Sequence, residues 1–450
     1  MTRIRKSISF MALFYTAALA IPAQNSWTLQ DCIDHALQHN LQIKKSRLDE
    51  QTATQTTAQS KSALLPSLSA SLSEAVTYRP FQKQGSNFVN GSVASSTTGR
   101  VIANGNYGIN ASWTIWDGQQ NRNTLKSSRI AEQQARLQTH QTANSIIEQI
   151  AQLYVQIRYT QEAVKTNQML LEADCQLLQR GEELLHNGKA TAADVAQLQA
   201  QVASGKYDVV NASTQVEQYT LQLRQLLQLP DSVDFCLSSP STNETAGAEA
   251  TIPSADAVYK AALQLRPEIQ SGKLAVEQSE LSLKIAQGAY SPTISLTAGL
   301  QDSHMTGTEQ NAGQQLRDNF NGQIGVSVTF PIFDNRQRKT QVEQAKIARL
   351  SSQIDLEDSQ RQLRNTIDNY WLEANNNQQK YVASKSQLES QRASYALVSE
   401  QFRQGKQNIA QLLESRTALL SAEQSLLQSQ YSTLLNIALL HFYQNQSITF

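Results

Sequence analysis

Between Gln119 and Leu229 apolar residues recur every seven positions, first at Ile150, Ile157, Val164, Leu171, Leu178 and Leu185. The spacing breaks at His186-Asn187-Gly188-Lys189 and resumes at Val195, Val202, Val209, Val216 and Leu223. A second set, Leu198, Gly205, Ala212, Tyr219 and Leu226, follows three residues behind. This is the a and d pattern of coiled coils. At about 1.5 Å per residue the first limb would run roughly 100 Å. The pattern predicts a hairpin of long helical rods.

Elsewhere the period changes to two, the strand signature. Leu68, Ala70, Leu72, Val76 and Tyr78 oppose Ser67, Ser69, Ser71, Ser73 and Thr77, with Glu74 the exception on the apolar face. Tyr107, Ile109, Ala111, Trp113 and Ile115 oppose Asn106, Gly108, Asn110, Ser112 and Thr114. Two further strands are predicted over Thr293–Leu300 and Gln323–Ile332. A soluble sheet packed on helices would alternate in the same way. About ten residues is also the length of a tilted strand crossing a bilayer, and the polar faces are small and uncharged, as suits a water-filled lumen. Four strands cannot close a barrel, so spanning strands would have to be pooled by several chains; three would give about twelve.

The strands and rods occur twice. Leu64-Leu65-Pro66-Ser67-Leu68 is answered by Tyr290-Ser291-Pro292-Thr293-Ile294, 226 positions on. Ile115-Trp116-Asp117-Gly118 is answered by Ile332-Phe333-Asp334-Asn335, and Gly188 by Gly405, both 217 on. Internal repetition of this kind predicts two equivalent halves. The first is expected over 24–230, with a helix Trp27–Ala63, a strand pair within 67–116, a long helix 119–187 and a return helix 191–229. The second is expected over 253–450, with a helix Pro253–Ala289, a strand pair within 292–333, a long helix 335–404 and a return helix 408–443. The difference in offset predicts a longer loop within 79–104. Residues 231–252, rich in Ser, Asn, Glu and Gly, read as an exposed linker.

Composition narrows the function. The 38 basic and 38 acidic residues cancel, so there is no electrostatic footprint for nucleic acid. Mean hydropathy is −0.43 and aromatics make up 6%, as expected of partly wetted helical rods. Arg3, Arg5 and Lys6 precede an apolar run, Ile8 to Ala20, and small residues at Ala20 and Ala23, which predicts a cleaved signal peptide over residues 1–23. Cys32, Cys175 and Cys236 are too few and too scattered for a disulfide framework. His35 and His39 have the i, i+4 spacing of a metal pair but lack a third ligand, and no phosphate loop or nucleophile elbow is present. No catalytic residue, metal or cofactor is expected.

The Trp27-Thr28-Leu29 start with Ala36-Leu37 and Asn40-Leu41, the paired strand starts, the Trp-Asp-Gly and Phe-Asp-Asn strand exits and the two glycine-centred reversals together resemble the TolC-type outer-membrane efflux family. The resemblance spans nearly the whole mature chain. It implies a mostly α protein with membrane β, in which internally duplicated antiparallel coiled-coil helices and four transmembrane strands per chain build a homotrimeric tunnel. Such a tunnel would sit in outer-membrane lipid and extend into the periplasm, docking on a periplasmic adaptor and an inner-membrane transporter to export small molecules. Type I protein secretion would use the same fold, and a soluble periplasmic coiled-coil adaptor is the reading from another class.

The resemblance also assigns residues. Adaptor docking falls on the tips, at Asn187, Gly188, Lys189, Thr191, Asp194, Gln404, Gly405, Lys406, Asn408 and Leu412. The aperture constriction falls on Gln411 and Glu414, of which only Glu414 is acidic. A closing latch is expected from Asp194 with Lys189 or Lys406, because Phe402 and Gln407 occupy the family's other latch positions.

Overall fold

The computed structural model describes residues 26–78, 80–81, 85–89, 92–96, 101–230, 233, 235–238, 246–306 and 310–449. The expected signal peptide lies outside them. The first half runs β1 (Ser26–Trp27), α1 (Leu29–His39), α2 (Leu41–Ser62), β2 (Ser67–Tyr78), β3 (Gly85–Val89), β4 (Ser92–Ser96), β5 (Val101–Trp116), α3 (Gln120–His186) and α4 (Ala192–Leu227). After β6 (Cys236–Leu237) and a 3-10 turn at Ala246–Glu249 come α5 (Ala255–Leu265), α6 (Pro267–Gly288), β7 (Thr293–Met305), α7 (Ala312–Asp318), β8 (Asn321–Thr329), α8 (Gln337–Arg403) and α9 (Ile409–Tyr443).

The helices lie side by side in a slab four columns wide. α3 and α8, 67 residues each, are full-length columns. α2 and α4 both pack on α3, while α6 and α9 both pack between α3 and α8. Each half-length pair is joined through a short helix, which corrects the sequence reading. Trp27–Ala63 is not one helix, because the chain leaves helical geometry at Asn40, whose side chain accepts from the backbone N–H of Gln42 and Ile43. The Asn40 amide then donates to Leu226 O at the end of α4, 2.9 Å away. Pro253–Ala289 breaks at the equivalent point, Arg266, because Pro267 disfavours helical geometry in the residue before it and fits the first position of a new helix. The buried Arg266 guanidinium stacks on Tyr443 at the end of α9, 4.2 Å from the ring centroid, and bonds Glu268 and Glu148. Burial raises the Glu148 carboxyl above its usual range, and Arg266 draws it partly back.

The main core surrounds these joints: Cys32, Ile33 and Ala36 of α1, Ile146, Ile150 and Ile157 of α3, and Leu439 and Leu440 of α9. Burial pushes the Cys32 thiol up to about 12. Beyond the core the buried seam of α3 departs from the expected Val164, Leu171, Leu178 and Leu185. The buried positions are Leu170, Leu177 and Leu184, with Thr166, Asn167, Asp174 and Gly181, while Leu171 and Leu178 are half-buried. An α-helix drifts by about 20° per seven residues, so one heptad frame cannot face the same neighbours along a rod of this length.

The strands form one antiparallel sheet in the order β2-β5-β7-β8, following the order of the helices that feed them. Leu68, Ala111, Ala298 and Ile324 lie in one row across it. The sheet does not pack on the helical columns; only the short α7 lies against it, with Gln315 bonded to Met305. Leu68, Leu72, Val76, Ile109, Leu300, Ile324 and Val326 are all exposed, and among the described residues β2 and β8 each have a free edge. No helix among the described residues is long and apolar enough to cross a membrane. β8 stops at Thr329, short of the expected Ile332, since Pro331 has no N–H to give a ladder. The longer first-copy loop contains the β3–β4 hairpin. The stretch read as an exposed linker is anchored: β6 pairs with β1, and Gln378 donates to Ala248 O and Ala250 O.

At both strand exits the chain takes two consecutive left-handed residues, Gly118-Gln119 and Asn335-Arg336. Asp117 and Asp334 then accept from the backbone N–H of Asn121 and Arg338 at 2.7 and 2.8 Å, capping the long helices. A Cβ at Gly118 would collide with the Gly288 carbonyl. Gly188, with φ +70°, has open space around it. Gly118→Ala should therefore lower the thermal midpoint of detergent-solubilised protein well beyond Gly188→Ala, which bears only the left-handed strain of about 1–2 kcal/mol. Equal midpoints would show that the Gly118–Gly288 contact relaxes.

Candidate functional site at the helix reversals

The two reversals are built alike. After α3, Gly188 N–H donates to Leu185 O and Lys189 N–H to Leu184 O, at 2.9 and 2.8 Å. After α8, Gly405 N–H donates to Phe402 O and Lys406 N–H to Gln401 O, both at 2.9 Å. These paired bonds satisfy the last helical carbonyls and require a left-handed residue, which glycine supplies at φ +70° and +71°.

The return helices start differently. Thr191 and Asp194 form a reciprocal box: Thr191 Oγ1 accepts from Asp194 N–H, and the Asp194 carboxylate accepts from Thr191 N–H at 2.8 Å. These bonds hold the Asp194 carboxyl below its usual range. The expected latch partner is thus engaged within its own turn. At the second tip Asn408 accepts from Gln411 N–H at 2.8 Å, without a reciprocal bond. Asn187, Gly188, Lys189, Gln404, Gly405, Lys406 and Asn408 are exposed, as are Gln411 and Glu414, three residues apart on one face of α9.

Leu412 does not belong with them. At 1% exposure it sits in a cluster with Leu177, Leu198, Phe402 and Ile409, which joins the two hairpins above the tips. It is one turn past the cap on the face of α9 that meets α3, so it shapes the tip from inside. Phe402, considered only as a lost latch position, is part of the same cluster.

Farther from the tips, α3 and α9 share a buried ion pair. Arg416 Nε lies 2.8 Å from Asp174 Oδ1 and its second nitrogen 2.7 Å from Oδ2. The Gln201 amide of α4 lies against both charges. Burial pushes the Asp174 carboxyl up, and Arg416 draws it partly back. The sequence held no signal for this pair, whose members are 242 residues apart. His35 and His39 stack at 4.4 Å under Trp27, and no group of three possible metal ligands occurs among the described residues.

The sequence profile of the outer membrane efflux protein family matches residues 32–228 and 258–443. The chain belongs to that family. Its members are channels of the outer membrane that extend into the periplasm, not enzymes, which sets aside the soluble-adaptor reading. The channel is 22% identical over 429 residues to the outer membrane efflux protein BepC of Brucella suis, covering 95% of this chain and 87% of that protein. It is 24% identical over 413 residues to TolC of Escherichia coli, covering 88% and 78%. Among solved structures, VceC of Vibrio cholerae superposes with a TM-score of 0.77 at 15% identity, covering 94% of this chain and 97% of that one. The open-state MtrE channel of Neisseria gonorrhoeae gives 0.75 at 20%, covering 94% and 89%.

Within this efflux channel the ion pair gives a sharp expectation. Arg416→Met alone leaves a buried carboxylate and should cost about 3–5 kcal/mol, whereas Arg416→Met with Asp174→Leu should recover most of that. Additive losses in a double-mutant cycle of thermal unfolding would show the two residues uncoupled. The box at Thr191 has a defined pH response. Folding lowers the Asp194 pKa, so its bonds stabilise above the unfolded value and are lost as pH falls through the folded one. Hydrogen-exchange protection factors in the first turn of α4, taken against the intrinsic rate at each pH, should therefore fall in acid, and Asp194→Asn should remove that dependence.

Proposed function

We propose that three copies of this chain close edge to edge into a passive conduit, the outer-membrane component of a tripartite pump that exports small molecules. The observation that supports this most is the state of the slab's two flanks. On one, α8 exposes Ile347, Ile354 and Leu372; on the other, α2 and α4 expose Leu41, Leu48, Val210 and Leu221. The sheet is open on the same two sides. Opposite flanks that are both apolar suit a head-to-tail ring, and three copies would bring the barrel to about twelve strands.

In this reading the apolar sheet face meets outer-membrane lipid, and Ser69, Ser71, Asn110 and Gln323 line the lumen. Gln411 and Glu414 face the aperture, where three Glu414 carboxylates form one acidic ring. The exposed tips, Asn187 to Thr191 with Asp194 and Gln404 to Asn408, receive a periplasmic adaptor. An inner-membrane transporter supplies energy and selectivity, so the conduit itself has no need of a cofactor.

The detergent-corrected mass of the particle extracted from outer membranes should be three times that of the mature chain; a monomer released by salt would overturn the reading. Glu414→Gln should weaken cation preference in planar-bilayer recordings. Unchanged selectivity would remove Glu414 from the constriction.

A further inference from the structure

The two halves of the chain meet at a junction where β5 pairs with β7 and α3 packs on α6 and α9. Because the halves are repeats, this junction is a template for the contact between copies, in which β8 and α8 of one chain meet β2, α2 and α4 of the next. The correspondence is 217 positions from β5 and α3 to β8 and α8, and 226 back from β7 and α6 to β2 and α2. From α9 back to α4 it is 217. α3 and α8 have equal length and start 217 apart, so no gap interrupts the alignment of the rods.

Burial supports the mapping. Ile130 of α3 is 6% exposed at the internal junction, and its equivalent Ile347 on the free flank is 66% exposed. Val155 and Leu372 are 7% and 53%, and on the other flank Ala438 and Leu221 are 4% and 54%. Apolar residues stand bare where their repeat equivalents are covered.

We infer that β8 pairs with β2 of the next copy in the register carried over from β5 and β7. Asn110 lies opposite Gly299, so Ser327 lies opposite Ser73 of the next copy. Ala111 opposite Ala298 and Tyr107 opposite Asp302 likewise give Val328 opposite Leu72 and Ile324 opposite Val76. The pairs keep apolar residues on one face and polar residues on the other, except that Val326 meets Glu74, the charged residue on the apolar face of β2. A slip of one residue would invert the faces, but a slip of two would not, so the repeat chooses among registers that patterning leaves equivalent. At the periplasmic end the equivalents of Asp174 and Arg416 are Gln391 and Gln199. The seam between copies thus meets through two neutral amides where the internal junction has a buried ion pair.

The inference rests on the trimeric reading, and the test separates the two. In full-length protein in outer membranes, with Cys32→Ala, Cys175→Ser and Cys236→Ser, the pair Ser73→Cys with Ser327→Cys should give covalent dimers and trimers on copper–phenanthroline oxidation. Residues directly opposite have Cβ atoms about 4.5–5.5 Å apart and diagonal ones about 7–8 Å, so Ser71→Cys or Ala75→Cys with Ser327→Cys should bridge at least several-fold less. Gln199→Cys with Gln391→Cys should also link copies. A shifted pair that bridges best in a particle still of trimeric mass would overturn the register and leave the trimer standing. A monomeric particle with no bridging would overturn both.

Discussion

A peptide N–H or C=O left bare in hydrocarbon costs several kcal/mol, and that constraint organises this chain from one end to the other. It permits strands in a bilayer only when no edge is free, yet among the described residues each chain supplies one four-stranded sheet with two free edges. The order β2-β5-β7-β8 is also the order of the helical columns, so closing the sheet brings the helix flanks together in the same operation. In the proposed ring, barrel and tunnel are two parts of one circumference. The paired left-handed residues after β5 and before α8 let the chain pass from strand to rod without crossing its neighbours.

The energetic character of the contacts changes along the rods. Near the joints between half-helices the core is broad and apolar, with cationic Arg266 held by two carboxylates and an aromatic face. Towards the tips the apolar contacts thin to small clusters, and a buried ion pair takes over part of the cohesion. Such a pair is worth little against a well-packed apolar alternative, but it is costly to break halfway, which makes it a better device for fixing alignment than for adding stability.

The sequence was legible where a pattern is local and repeated. Alternation located all four strands of the main sheet, seven-residue spacing located the rods, and the recurrence of Pro66 at Pro292 and Gly188 at Gly405 pointed to the duplication. It was less legible where a single residue overrides a periodic background. Asn40 interrupts an otherwise continuous helical pattern, and only its equivalence to Arg266, just ahead of Pro267, could have marked the break. The side of α9 that Leu412 presents depends on where α3 lies, which no local pattern specifies. Asp174 and Arg416 are ordinary charged residues until the fold joins them. Asp117 and Asp334, by contrast, recur in both copies, and their capping role could have been read from that recurrence.

The two tips differ in one bond. α4 begins with a reciprocal box and α9 with a single acceptor, so the first turn of α9 is the more compliant of the two. That turn carries Gln411, and Glu414 follows in the next. If Gln411 and Glu414 line the mouth of the conduit, as proposed, a hem that stretches serves it better than a rigid rim, and this chain places its softer turn just ahead of its acidic residue.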